Sequence, residues 1–84
     1  MVKVLFFARL REELDCAGLE IPWSERLTDL DALYDALCEH GGERWCRLLG
    51  QRNIIRAVNQ TVAEGNCVLH DGDEVAFFPP VTGG

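Results

Sequence analysis

The sequence predicts an α+β domain in which a mixed sheet of four or five strands carries one principal helix packed across it. Three observations support this. The chain opens and closes on short β-branched and aromatic runs, Val2 to Ala8 and Val75 to Phe78. Between them, Leu30, Leu33, Tyr34, Leu37 and Cys38 recur at i, i+3, i+4, i+7 and i+8, the spacing of one amphipathic helical face. At 84 residues the chain has room for a single domain that buries about 60% of its unfolded surface.

In the first run, alternation sorts Val2, Val4 and Phe6 to one face and Lys3, Leu5 and Phe7 to the other. Both faces are largely apolar, so the strand is central or presents one face to a partner. Leu10 and Leu14 then stand at i and i+4 and predict a short helical turn, with Arg9 and Arg11 beside it on a solvated face. After Gly18, Leu19, Ile21 and Trp23 alternate, and Pro22 marks this strand as an edge. Thr28 and Asp31 resemble a capping box and start the main helix, which Gly41-Gly42 should terminate. Burial of its leucine stripe, at about 1.5 to 3 kcal/mol per side chain, makes this helix the main counterweight to chain entropy.

Glu43 to Leu49 predicts a second short helix with Trp45, Leu48 and Leu49 turned inward, ended by Gly50. Asn53 to Gln60 reads as a strand that continues through Val58-Asn59-Gln60-Thr61-Val62 into a short pairing segment, with Asn59 and Gln60 as turn or bulge formers. Asp71-Gly72-Asp73-Glu74 lacks calcium-loop spacing and is a turn into the last strand. The right-handed crossover rule makes the first and last strands parallel neighbours if both lie at the centre of the sheet. Val75 and Phe77 then share the core face with Val4 and Phe6, while Phe7 and Phe78 form an aromatic patch on the opposite face.

Composition narrows the function classes. A formal net charge of −6 opposes binding to nucleic-acid phosphates, and an acidic chain is instead steered towards basic clefts. No apolar run approaches the roughly 18 residues of a membrane span, and no signal peptide is evident, so the chain is expected to be cytoplasmic and free of membrane contact. Cys16, Cys38, Cys46 and Cys67 show neither CxxC pairing nor histidines at ligand spacing, which argues against a metal site and for small buried thiols. His40 and His70 have no catalytic partner in the sequence and are expected at the surface. With no nucleophile and base, no metal cluster and no phosphate loop, the chain does not read as an enzyme acting alone.

The most specific stretch is the last eight residues, Phe77-Phe78-Pro79-Pro80-Val81-Thr82-Gly83-Gly84. Two prolines forbid further ladder hydrogen bonding, so the sheet must stop there. Residues 1–80 are therefore expected to form the domain and residues 81–84 a flexible arm of about 13 Å, at roughly 3.3 Å per residue. Its carboxylate suits acyl activation by another protein. The two glycines remove the Cβ atoms that would keep a nucleotide or nucleophile from the terminal carbonyl. Because the sequence already ends in Gly-Gly, no processing protease is expected.

Val2-Lys3-Val4-Leu5-Phe6-Phe7-Ala8, Val58-Asn59-Gln60-Thr61 and Asp71 to Gly84 together resemble the small-subunit family of molybdopterin synthase, across essentially the whole chain. The resemblance implies a ubiquitin-like β-grasp fold and a sulfur carrier of molybdenum cofactor biosynthesis. It implies that an activating enzyme uses ATP to adenylate Gly84, with no cofactor tightly bound to the carrier. A sulfur donor such as a cysteine desulfurase or rhodanese then makes a thiocarboxylate, which the large subunit of molybdopterin synthase uses in a heterotetramer to build the dithiolene of the pyranopterin. It also implies that Val81, Thr82 and Gly83 line a channel of that subunit. Phe7, Val62 and Phe78 would form the docking patch, Pro79 and Pro80 would set the exit direction, and Arg11 would meet an acidic partner surface. Two alternatives share the Gly-Gly end: a carrier for thiamine or transfer-RNA thiolation, and a ubiquitin-like modifier that forms isopeptide bonds.

Overall fold

A computed structural model of the chain describes residues 1–80. Its elements are β1 (Val2–Phe6), α1 (Ala8–Leu14), β2 (Gly18–Ile21), α2 (Leu30–Leu49), β3 (Ile55–Val58), β4 (Thr61–Val62) and β5 (Glu74–Phe78). The five strands form one sheet in the order β2-β1-β5-β3-β4. β1 and β5 pair in parallel at its centre, and the remaining neighbours are antiparallel. This is the expected α+β architecture, with two helices on one face.

Alternation along the central strands fixes where the core sits. Val2, Val4 and Phe6 of β1 and Val75 and Phe77 of β5 are at most 1% exposed, as are Leu30, Leu33 and Leu37 of α2. The helix stripe thus covers the face on which the odd and even positions of the two strands agree. Trp45 completes this layer, edge-on to Phe6 at 5.4 Å between ring centroids and 84° between planes. That geometry sets a ring edge against a π-face, a favoured aromatic arrangement.

Several local expectations change. Asp29, not Thr28, caps α2: its backbone is extended and its carboxylate accepts from the Ala32 N–H at 2.8 Å. The preceding chain is held against the Cys67–Leu69 segment, where the Thr28 carbonyl accepts from Leu69 N–H and Leu30 N–H donates to the Cys67 carbonyl. That pairing positions Asp29 at the helix start. The break expected at Gly41-Gly42 is present: the run Leu30–Leu49 joins two helices across a kink at Gly42, whose φ of 73° and ψ of −163° leave the helical region. A Cβ on Gly41 would lie 1.9 Å from Trp45 Cγ, so the break lets the indole fold back onto the helix.

The strands are also shorter than expected. β1 ends at Phe6, because Phe7 caps α1, and β2 ends at Ile21, just before Pro22, as an edge strand. β3 covers only Ile55–Val58, since Asn59 and Gln60 both take positive φ (49° and 70°) in the tight turn to β4. Positive φ at both central residues gives a two-residue turn the twist that antiparallel strands need. All four cysteines are half-buried rather than buried.

Candidate functional site

The face of the sheet away from the helices carries Phe7, Val62 and Phe78, three of the residues singled out from the sequence. Alternation puts Leu5 of β1, Ala76 and Phe78 of β5, Ile55 and Ala57 of β3 and Val62 of β4 on this side. The register sets them in rows: Leu5 opposite Ala76, Ala76 opposite Ala57, Ala57 opposite Val62, and Phe78 opposite Ile55. Phe7 lies just past β1 with extended backbone (φ −127°, ψ 160°), so it continues the alternation onto the same side. Its N–H donates to the Phe77 carbonyl at 3.2 Å, which ties it to the end of β5. Phe7 and Val62 are 45% and 58% exposed, and Phe78 is half-buried.

These apolar side chains form a band across four strands, of which Phe7 and Val62 are the most exposed members, and exposed apolar surface of this kind is what interaction sites use. The other end of the same face is charged, with Lys3 between Glu20 of β2 and Glu74 of β5. Apolar and charged ends give the face a direction. Ile55, Ala57 and Ala76 were not foreseen as part of it, because cross-strand register is set by pairing between distant segments. Alternation, which set Leu5 and Phe7 opposite Phe6 and Phe78 opposite Phe77, was the local signal that pointed to this side.

Pro79 and Pro80 follow directly and are half-buried beside a shallow groove that also includes Ala8, Arg9 and Asn53. The chain therefore leaves β5 next to Phe7 and Phe78. Val81, Thr82, Gly83 and Gly84, expected to line a partner's channel and to carry the reactive carboxylate, lie outside the described residues. Arg11 is exposed on α1, and its side chain makes no ion pair among the described residues.

The far end of β5 is anchored by a polar network. Asn59 Nδ2 donates to Asp73 Oδ1 at 3.0 Å, its Oδ1 accepts from Glu74 N–H at 3.0 Å, and His70 N–H donates to Asp73 Oδ2 at 2.8 Å. The Asn59 amide, and then the His70 N–H, hold the Asp73 carboxyl below its ordinary range. The β3–β4 turn is thereby locked to the start of β5, so Val62 and Phe78 keep a fixed relation. His70 is exposed, as expected, and exposed His40 tilts against Trp45 at 5.2 Å. Among the described residues no group of three or more His, Cys, Asp and Glu is arranged to hold a metal ion, and no helix is long and apolar enough to cross a membrane.

Comparison with known proteins identifies the family and the fold. The model of the ThiS family matches residues 4–84. The molybdopterin synthase sulfur carrier subunit of Escherichia coli strain K12 is 42% identical over 84 residues, covering 100% of both chains. Among solved structures, SAMP1 from Haloferax volcanii superposes with a TM-score of 0.79 at 26% identity, covering 99% of this chain and 98% of its own. A complex of subunits 1 and 2 of the molybdopterin-converting factor from Helicobacter pylori contains a chain similar at TM-score 0.70 and 31% identity, with 99% and 97% coverage. The two-sided sheet, the aromatic band and the proline exit thus sit in a chain that belongs to the ThiS family, alongside the molybdopterin synthase sulfur carrier subunits.

Proposed function

We propose that this chain is the sulfur carrier of molybdenum cofactor biosynthesis and works through the carboxylate of Gly84. An adenylating activating enzyme joins that carboxylate to AMP, consuming ATP and releasing pyrophosphate. A sulfur donor, such as a cysteine desulfurase or rhodanese, then supplies a persulfide whose terminal sulfur displaces AMP, and attack of a second thiol on the resulting acyl disulfide releases the thiocarboxylate and leaves a disulfide on the donor side. In the large subunit of molybdopterin synthase the thiocarboxylate passes its sulfur to a pyranopterin precursor, and two deliveries complete one dithiolene.

The observation that carries this reading is the end-to-end likeness to a sulfur carrier subunit, 42% identity with both chains covered in full. The band of Phe7, Phe78, Ile55 and Val62 supports it, since a carrier needs a docking face beside the root of its reactive arm. Pro79 and Pro80 would aim the arm, and Arg11 would contact an acidic patch on the partner. Division of labour follows: the body supplies affinity and the last residues supply chemistry.

The test is incubation of the full chain with a cognate activating enzyme, ATP and a sulfur source, followed by mass mapping of the C-terminal peptide. Sulfur in place of one oxygen at Gly84 is expected, with transfer to the pyranopterin once large subunit is added. Sulfur found only on a cysteine would overturn the acyl-carrier reading. Branched lysine conjugates would favour a protein modifier instead, and a thiocarboxylate that the large subunit cannot use would point to another thiolation pathway.

A further inference from the structure

Away from the apolar band, a groove of about 360 Å³ opens between α2 and the loop that leads into β3. Asp31, Tyr34 and Leu49 of α2 line it together with Arg52, Ile54 and Arg56, so two guanidinium groups of an acidic chain meet in one place. Arg56 reaches the groove because the β3–β5 register sets it opposite Phe77, on the helix side of the sheet. The groove and the band thus lie on opposite faces. Hydrogen bonds shape its wall: Gly50 N–H donates to the Cys46 carbonyl at 3.0 Å, and Ile54 N–H donates to the Gln51 carbonyl at 3.1 Å, which turns the loop at Arg52. The Tyr34 hydroxyl donates to the same Cys46 carbonyl at 2.8 Å, and its oxygen lies 3.1 Å from Cys46 Sγ. A Cβ at position 50 would stand 2.7 Å from that hydroxyl, so glycine there leaves the phenol its place.

The side chain of Arg56 is only 25% exposed, yet its guanidinium makes no hydrogen bond among the described residues. Its ion pair with Asp31 spans 3.8 Å, too long for a hydrogen bond, and the Asp31 side chain is 70% exposed and free to turn to solvent. Among the described residues no buried side-chain nitrogen or oxygen lacks a partner, so the unbonded nitrogens of Arg56 are ones that open to the groove. A guanidinium carries five N–H donors in a fixed fork, and a largely desolvated one gains by meeting an anion. Arg52 brings a second fork from the exposed loop. The start of α2 adds no donors, because the Asn66 amide oxygen and the Asp29 carboxylate already take the N–H groups of Asp31 and Ala32. Anion binding in the groove therefore rests on the two arginines.

We propose that this groove binds a small phosphate monoester, with Arg52 and Arg56 holding the phosphoryl group and Tyr34, Leu49 and Ile54 receiving the organic part. A phosphoryl group carries close to two negative charges at neutral pH, which two guanidinium groups match once Asp31 turns outward. A carboxylate answers only one of them. The groove is of the size that takes a small organic ligand, larger than a bare phosphate needs, and half of its wall is apolar. The site is separate from the acyl chemistry proposed for Gly84 and stands or falls without it.

The test titrates the isotope-labelled full chain with phenyl phosphate at constant ionic strength and follows backbone amide and arginine Nε–H resonances, with inorganic phosphate and phenylacetate as comparison probes. Saturating shifts are expected at Gly50, Gln51, Arg52, Ile54 and Arg56, with phenyl phosphate bound more tightly than either comparison probe. Arg52→Gln and Arg56→Gln should each weaken binding about tenfold, the loss usual for hydrogen bonds to a charged group, and Asp31→Asn should tighten it. Shifts that never saturate, or that spread evenly over Arg9, Arg11, Arg26 and Arg47, would reduce the effect to screening of surface charge and overturn the site. Equal affinity for phenylacetate would overturn the phosphoryl assignment, and equal affinity for inorganic phosphate would overturn the apolar half. Arg52 lies on an exposed loop, so Arg52→Gln decides the matter even if Arg56→Gln does not fold.

Discussion

Phe6 and Phe77 stand opposite one another in the parallel pairing of β1 with β5, their ring centroids 5.8 Å apart and both rings no more than 1% exposed. Each is followed by a second phenylalanine that alternation turns to the other face of the sheet. Two Phe-Phe dipeptides, from opposite ends of the chain, thus each give one ring to the core and one to the surface.

The two rings of a dipeptide should therefore fail differently. Phe77→Ala is expected to cost roughly 3 to 5 kcal/mol of stability, the usual loss for a buried phenylalanine. Phe78→Ala should leave the melt nearly unchanged and weaken binding to the large subunit by about 2 kcal/mol, roughly thirtyfold. Thermal melts and titration calorimetry on both variants check this. A greater loss of stability from Phe78→Ala would mean that the two faces are assigned the wrong way round.

The paired glycines of α2 should be intolerant for different reasons. At Gly41 a methyl group would collide with the Trp45 ring, and Gly41→Ala is expected to cost about 1 to 3 kcal/mol through overpacking. At Gly42 the space is open but φ is +73°, so Gly42→Ala is strained by backbone conformation, by roughly 1 to 2 kcal/mol. In a Trp45→Leu background, itself less stable, Gly41→Ala should cost much less than in the wild type, while the cost of Gly42→Ala should be unchanged. Urea melts of the single and double variants measure it, and an equal fall in both costs would refute the distinction.

Acid stability follows from two aspartates. The Ala32 N–H, then the Asn66 amide, hold the Asp29 carboxyl below the ordinary 3.8, and the Asn59 amide does the same for Asp73. Their folded values are depressed, so both contribute fully above the ordinary value and lose that contribution as pH falls through the lower, folded ones. The melting temperature should be insensitive to these two groups from neutrality to about pH 5 and should fall below about pH 4. In Asp29→Asn/Asp73→Asn the acid limb should be shallower, and an unchanged limb would assign acid sensitivity to other carboxylates.

Arm length should control rate rather than affinity. Inserting one glycine after Gly83 shifts the reactive carbon by up to about 3.3 Å, and deleting Gly84 withdraws it as far. A misplacement near 1 Å already costs on the order of a hundredfold in a positioned reaction. Both variants, thiocarboxylated chemically, should bind the large subunit normally yet lose sulfur transfer by at least that factor. Near-normal single-turnover rates at saturating large subunit would contradict a positioned arm.

The sequence by itself determined the elements whose cause is local. Alternation in Val2 to Phe6 and Val75 to Phe78 marked two strands with assigned faces, and the leucine stripe of α2 marked the helix that covers them. The crossover rule made those strands parallel neighbours if both were central, and the sheet order places both at the centre. Phe7, Val62 and Phe78 were legible as one surface because family motifs named them, and period-two geometry supported the two aromatics.

Tertiary structure alone decided the rest. Ile55, Ala57 and Ala76 join the apolar band through a register between segments some twenty residues apart, which no local pattern encodes. Asp29 rather than Thr28 caps α2 because the Cys67–Leu69 segment holds the preceding backbone. Cys46 meets Tyr34 only because Gly42 bends the chain and Trp45 anchors the returning half on Phe6. In each case a long-range contact chose among options that propensity left nearly equal, since packing energies exceed the few tenths of a kcal/mol, roughly, that separate most local preferences.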